Sequence, residues 1–144
     1  MRVVVTRVSG ASVSAQGSLV SSIDSGLLVL VGFTYGDNFD VIDRMIRKLT
    51  NLRIFSDSNG VMNLSILDVG GEVLSVSQFT LYGDTSRGNR PNYMRALNGG
   101  EASILYDYFN SKLSNFVCVK TGVFGAHMDV SSVNDGPVTI IMDM

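Results

Sequence analysis

Residues 75–84, SVSQFTLYGD, join a predicted strand to a Gly-Asp turn. The preceding run, Glu72–Val76, alternates as a strand does. Ser77-Gln78-Phe79-Thr80 therefore lies at a strand end, where protein scaffolds often present reactive groups. Two interpretations follow from these residues alone. Either Ser77 or Thr80 is a nucleophile, or both hydroxyls only make hydrogen bonds within the sheet.

Composition limits the classes of protein that the chain can represent. Its 144 residues suffice for one core, so we expect one domain over residues 1–144. Apolar residues make up 45% of the chain and charged residues only 17%, which indicates that a second subunit covers part of the surface. The net charge of −2 argues against a DNA partner and restricts any RNA contact to a local one. Three arginines of one loop have two interpretations. They either contact RNA phosphates or belong to a solvated loop with no partner: Arg87, Arg90 and Arg95.

Metal and cofactor chemistry find little support in the sequence. With one His and one Cys, neither a metal site nor a Ser-His-Asp triad is easily built, and we expect His127 to be a surface or packing residue. No phosphate-binding or G-x-S-x-G signature surrounds Ser77, so no cofactor is expected. Cys118 lies in an apolar run and is predicted to be a buried, inert thiol. Because no apolar stretch is long enough to span a membrane and no leader pattern precedes the first strand, we expect a cytoplasmic protein.

Most of the chain has the pattern of short strands. Arg2–Val8 alternates, Ser9-Gly10 is expected to break it, and Ala11–Val20 forms a second alternating segment. Leu27–Phe33 is a continuous apolar run that predicts a strand buried on both faces. Further strands are predicted at Val61–Leu67, Phe116–Thr121, Met128–Val133 and Val138–Met142.

Two segments have helical periodicity instead. Asp37 or Asn38 caps the first, whose apolar residues recur at spacings of three and four up to Leu52. The second, Glu101–Leu113, has a predicted buried face of Ala102, Leu105, Tyr108 and Phe109. Since the helices do not alternate with the strands, the fold class is α+β, a mostly antiparallel sheet or split barrel with two main helices.

Asp135-Gly136-Pro137 also has two interpretations. It is either a turn before an edge strand or part of a binding site. Pro137 has no amide donor, and Gly136 lets a ligand approach the backbone closely. A cis Gly-Pro bond would hold the neighbouring carbonyls in a stiff arrangement and form a shape-selective wall.

Several segments together resemble the D-aminoacyl-tRNA deacylase family of bacteria and eukaryotes. The similarity extends over essentially the whole chain and is strongest in the pair of motifs SQFT and NDGPVT. The matching segments are MRVVV (1–5), NLRIF (51–55), MNLS (62–65), SQFTLY (77–82), TGVFGA (121–126) and NDGPVT (134–139).

The resemblance implies a homodimer that hydrolyses the ester between a D-amino acid and the terminal adenosine of tRNA, and that also acts on glycyl-tRNA. It implies that the strand end Ser77, Gln78, Phe79 and Thr80 lines the pocket and that its backbone amides receive the carbonyl oxygen. Gly136 and Pro137, joined by a cis bond, would enter the partner's pocket and exclude L-amino acids. Phe124 and Met128 would lie near the adenosine.

Two other functions are compatible with the residues alone. One is a non-catalytic dimeric module that binds RNA ends or small metabolites, and the other is a hydrolase of small esters that forms an acyl-enzyme on Ser77 or Thr80. The deacylase hypothesis accounts best for the scarcity of His and Cys. An aminoacyl ester is already activated and the tRNA 2′-hydroxyl can assist, so the protein needs mainly to position the ester and stabilise its oxyanion.

Overall fold

The computed structural model describes residues 1–144 as an α+β fold in which strands predominate, and this confirms the predicted fold class. The main sheet contains β1 (Arg2–Ala15), β2 (Ser18–Ile23), β3 (Gly26–Gly32), β6 (Glu72–Ser77), β7 (Cys118–Thr121) and β8 (Met128–Asp143). A separate hairpin is formed by β4 (Phe55–Ser56) and β5 (Met62–Leu64). The helices are α1 (Phe39–Thr50), α2 (Ile66–Val69) and α3 (Gly99–Leu113), with a 3₁₀ turn at Phe79–Tyr82.

The long strand β1 connects most of the sheet. It pairs antiparallel with β3 through its first half, with β2 through its second half, and with β8 along almost its whole length. The break expected at Ser9-Gly10 is wrong, because β1 continues through it and the irregularity appears as register shifts against β8. At the far ends of the strand order, the Ser21 hydroxyl on β2 donates to the Thr121 carbonyl on β7, 2.7 Å away. The sheet is therefore curled into a nearly closed barrel.

The part of the sheet around β6 is parallel. β3 pairs with β6, and β6 pairs with β7, both in parallel register. As predicted for the run Leu27–Phe33, nearly every residue of β3 is buried. A parallel pair needs a crossover connection, and between β3 and β6 this connection carries α1, the β4–β5 hairpin and α2.

The two main helices cover the core as expected. Asn38 caps α1, with its Oδ1 accepting from the Val41 amide at 3.1 Å. The face predicted for α3 was partly wrong, since Tyr106 is buried whereas Tyr108 is only half-buried and donates to Asp43. The buried residues of α3 are Ala102, Leu105, Tyr106, Phe109 and Leu113. No helix is both long and apolar enough to cross a bilayer.

Two segment boundaries differ from the predictions. Leu67 is helical rather than part of a strand, because Ser65 and Asp68 form a capping box that starts α2. The chain from Met128 to Asp143 is one strand, not two strands separated by a turn at Asn134–Pro137. Its irregularity is a bulge in which the four residues Asp135–Val138 face Arg7.

Cys118 is exposed, so the prediction of a buried thiol was wrong. β7 is an end strand whose outer face meets solvent, and Val119 is the residue that packs on the core. The thiol donates to Glu72 Oε1 at 3.3 Å, and this bond, followed by partial desolvation of the thiol, raises the pKa of Cys118 above its ordinary value. A raised pKa reduces the thiolate fraction at neutral pH, which is the opposite of an activated cysteine.

We expect Glu72→Ala to lower the pKa of Cys118, because the substitution removes the acceptor and the nearby negative charge that favour the thiol. The pH midpoint of alkylation by iodoacetamide should then move down. Lys120 has the opposite effect on this thiol, so Lys120→Ala should move the midpoint up. A midpoint that rises or stays constant in Glu72→Ala would contradict the assignment.

Candidate active site

A cavity of about 430 Å³ opens where β3 and β6 end. This volume is in the range of roughly 300–1,000 Å³ that small-molecule sites occupy. Hydrophobic residues form most of the lining. The walls come from the ends of β3 and β6, the start of α3 and the segment after β7, with residues Val31–Phe33, Val76–Phe79, Gly99, Ala102 and Phe124–Met128 among them.

The structure brings five of the predicted site residues together around this cavity and leaves three outside it. Those that line it are Ser77, Gln78, Phe79, Phe124 and Met128. Thr80 is exposed and does not line it, although it follows Phe79 directly in the same 3₁₀ turn. Gly136 and Pro137 are also outside the lining of this chain's own cavity.

The backbone of the strand end differs in hydrogen bonding from residue to residue. The Gln78 amide donates to the Val31 carbonyl at 2.7 Å and is therefore occupied. Phe79 and Thr80 are the first residues of a 3₁₀ turn, so their N–H groups have no carbonyl partner within it. Gly32 allows this turn to pack closely on β3, since a Cβ there would lie 2.9 Å from the Gln78 carbonyl oxygen.

The hydroxyls of the strand end lack the environment of a nucleophile. The Gln78 side-chain amide donates to the Thr80 hydroxyl. Neither Ser77 nor Thr80 makes a hydrogen bond to a histidine, lysine or carboxylate in the structure. A serine or threonine nucleophile is normally activated by such a base. The geometry therefore favours a role for the backbone of this segment over a role for its hydroxyls.

The opposite wall is formed by the segment after β7. The Phe124 ring packs against Tyr106, with ring centroids 5.8 Å apart, and the Val123 amide donates to Met128 Sδ at 3.2 Å. His127 is exposed, as expected for a surface residue, and it also lines the cavity. No group of three or more His, Cys, Asp or Glu side chains is placed to bind a metal ion.

Sequence reasoning missed the contributions of β3 and α3 to this cavity. The end of β3 lines it because parallel neighbours place their carboxyl ends at the same edge of a sheet. To predict that β3 and β6 are parallel neighbours, one needs the strand order, which the sequence does not reveal. Gly99 and Ala102 belong to the first turn of α3, where small residues leave room for a ligand.

Gly136 and Pro137 form an exposed tip on the bulge of β8, and the peptide bond between them is cis. Arg7, only 8% exposed, holds this tip. Its guanidinium donates to the Asp135 carbonyl at 3.2 Å, pairs with the Asp135 carboxylate at 3.0 Å and donates to the Ile54 carbonyl at 2.5 Å. The tip is thus fixed to the body of the protein although it points into solvent.

Tyr82 ends the 3₁₀ turn beneath two guanidinium groups. Arg2 and Arg95 lie over its ring at 5.5 and 6.0 Å from the centroid. Burial, assisted by Asp37 and Asp143, raises the pKa of Tyr82 to about 12 against the opposing effect of the arginines. Tyr82 is therefore neutral at physiological pH and supports the turn without acting as a base. Arg87 and Arg90 are exposed in the neighbouring loop.

Comparison with known proteins finds a family and solved structures that are similar to this chain. The chain matches the family described as D-Tyr-tRNA(Tyr) deacylase over residues 4–143. A solved structure named c-Myc DNA Unwinding Element Binding Protein is 38% identical, with a TM-score of 0.95, and the match covers 100% of this chain and 99% of that one. Another, a probable eukaryotic D-amino acid tRNA deacylase, is 16% identical with a TM-score of 0.85 over 99% and 98% of the two chains, and at this identity the likeness shows the fold alone.

Proposed function

This chain belongs to the D-Tyr-tRNA(Tyr) deacylase family, and we propose that it hydrolyses D-aminoacyl-tRNA and glycyl-tRNA while sparing L-aminoacyl-tRNA. Family membership makes it a hydrolase that acts on aminoacyl-tRNA. One observation supports the finer proposal above others. The strand end that lines the cavity leads into the amides of Phe79 and Thr80, which have no carbonyl partner within the 3₁₀ turn, and no histidine, lysine or carboxylate is hydrogen-bonded to its hydroxyls.

In the proposed reaction these amides stabilise the oxyanion. Water attacks the ester carbonyl carbon, and the carbonyl oxygen, on which negative charge develops, accepts hydrogen bonds from the N–H groups of Phe79 and Thr80. The bond to the ribose oxygen then breaks, that oxygen takes up the proton that the attacking water loses, and the amino acid and tRNA leave. A preorganised donor of this kind contributes about 3 kcal/mol to the transition state. The adjacent ribose hydroxyl can assist the attack, so no side-chain base is needed.

The apolar wall is assigned to the terminal adenosine. Phe124 and Met128 offer an aromatic face and a polarisable thioether on the same side of the cavity. An adenine held there would leave the aminoacyl group near the strand end Ser77–Phe79. The volume of about 430 Å³ suits a nucleoside with a small acyl group.

Selection between D- and L-amino acids is assigned to a second copy of the chain. In the proposed homodimer, Gly136 and Pro137 of one subunit enter the cavity of the other and oppose the side chain of an L-amino acid. The exposed position of this tip supports the proposal, because Gly136 and Pro137 do not line the cavity of their own chain. Glycine has no side chain to exclude, and glycyl-tRNA would therefore pass the same wall.

A competing mechanism is an acyl-enzyme on Ser77 or Thr80. No base is hydrogen-bonded to either hydroxyl, and this disfavours it.

The name of one related structure refers to a DNA element. A net charge of −2 gives this chain little means of holding a duplex along its backbone. Exposed Arg87 and Arg90 remain available for a local contact with tRNA phosphates.

The proposal predicts hydrolysis of D-aminoacyl-tRNA but not of the matched L-aminoacyl-tRNA. Loss of ester from tRNA charged with D- or L-tyrosine, with glycyl-tRNA in parallel, measures this directly. Equal rates for D and L would contradict chiral selection. Hydrolysis of neither D- nor glycyl-tRNA would contradict the proposed substrates.

Ser77→Ala and Thr80→Ala should each keep kcat within about tenfold of wild type, because both retain the backbone donors. Removal of a true nucleophile costs roughly a millionfold in serine hydrolases. Single-turnover deacylation of D-tyrosyl-tRNA distinguishes the two cases. Inactivity of a folded Thr80→Ala protein, together with an acyl-enzyme trapped on the wild type, would establish the competing mechanism.

Gly136→Ala should weaken the rejection of L-aminoacyl-tRNA. An added Cβ would lie 2.7 Å from Val138 Cγ2 and 2.9 Å from the Val138 amide nitrogen, so the tip has to move. We expect the ratio of L to D hydrolysis to rise by about tenfold or more. Gly60→Ala is the matched control. Both glycines have a positive φ, +124° at Gly136 and +76° at Gly60, but an added Cβ at Gly60 would meet nothing within 4 Å.

The oligomeric state gives an independent test of the shared site. Sedimentation analysis should show a dimer for the wild type. A monomer that still discriminates D from L, or an unchanged ratio in Gly136→Ala, would contradict the assignment of the wall to the partner.

A further inference from the structure

Tyr106 places a phenol directly behind the strand end. The residue lies on α3 and is 3% exposed. Its hydroxyl donates to the carbonyl oxygen of Ser75 at 2.8 Å and accepts from the Ser75 hydroxyl at 3.3 Å. Ser75 is fully buried on β6, two residues before Ser77. The phenol is therefore bonded to the backbone that leads into the cavity.

The Ser75 carbonyl joins three parts of the fold. Besides the Tyr106 hydroxyl, it accepts from the Gly122 amide at 3.0 Å, so both of its lone pairs are used. The pairing of β6 with β7 ends at this position, where Ser75 faces Thr121. Beyond it, the end of β6 and the segment that follows β7 both line the cavity.

The same tyrosine also contacts the aromatic wall. Its ring lies 5.8 Å from that of Phe124, centroid to centroid, at an interplanar angle of 43°. Ala102, one turn earlier on α3, lines the cavity itself. Tyr106 thus connects the segment carrying the Phe79 and Thr80 amides with the wall assigned to the adenosine.

We propose that Tyr106 is a positioning residue for the deacylation reaction: its bond to the Ser75 carbonyl sets the strand end at the distance from Phe124 that the bound ester requires. This inference rests on the proposed function of the strand end. Tyr106 does not line the cavity, so it acts through the backbone of β6 rather than on the substrate.

The phenol is suited to act as a permanent donor. Burial raises its pKa above the ordinary value, against the opposing effects of the Ser75 and Asn110 side chains, and the group stays protonated at physiological pH. Without the hydroxyl, the Ser75 carbonyl keeps only the Gly122 amide, and the Ser75 hydroxyl loses its acceptor. The Gln78 amide would still bond the strand end to β3, but the hydrogen bond that joins β6 to Tyr106 on α3 would be lost.

The test compares Tyr106→Phe with Tyr108→Phe. Both substitutions remove one hydroxyl from α3, but the Tyr108 hydroxyl bonds to Asp43 at 3.1 Å, away from the cavity. We expect kcat for D-tyrosyl-tRNA to fall about tenfold in Tyr106→Phe, the equivalent of one hydrogen bond, with KM within about twofold of wild type. In Tyr108→Phe both parameters should stay near wild type.

Melting temperatures of both variants distinguish positioning from general stabilisation. A tenfold fall in kcat specific to Tyr106→Phe, measured well below its melting temperature, supports the proposal. Unchanged kcat in Tyr106→Phe, or equal losses of kcat in the two variants, overturns it. If the wild type discriminates D from L while Tyr106→Phe is unchanged, only the positioning role fails. If the wild type does not discriminate, the proposed function fails and this inference with it.

Discussion

The parallel pairing of β3 with β6 is the contact on which the site depends. The two strands run side by side from Gly26 and Glu72 and end together, and their last bond joins the Gln78 amide to the Val31 carbonyl at 2.7 Å. Because the strands are parallel, both chains leave the sheet at one edge and must diverge there. The cavity lies in the space that this divergence leaves, and α3 and the segment after β7 close its sides.

The chemistry proposed for the site follows from the small number of ionisable side chains in its lining. An apolar lining lowers the local dielectric, and a fixed N–H dipole then stabilises developing charge more strongly than it would in water. A charged side chain in the same place would have to be desolvated when substrate binds. A backbone amide at the start of a 3₁₀ turn carries no such cost, since it is neutral and held by the fold. In the proposed reaction the ester substrate is already activated, and this arrangement would therefore be sufficient.

Sequence patterns predicted the parts of the structure that depend on neighbouring residues. The Asn38 cap, the buried run of β3 and the strand end at Ser77 all follow from local spacing, and the family resemblance was confirmed over residues 4–143. The errors arose where distant segments decide the outcome. Cys118 looks buried by composition, but its strand lies at the end of the sheet. Likewise, Tyr106 and Tyr108 are indistinguishable until β6 is placed against α3.

The contacts of Arg7 have a consequence for the proposed association of two copies of the chain. Moving the Gly136–Pro137 tip would leave a nearly buried guanidinium without its partners on Asp135, and this penalty keeps the tip in one conformation before any partner arrives. Ordering a flexible loop upon binding costs about 1–2 kcal/mol of backbone entropy per residue. A tip that is already ordered avoids most of this cost. In the proposed homodimer it would meet the second copy as a rigid body, with its carbonyl groups already in fixed positions.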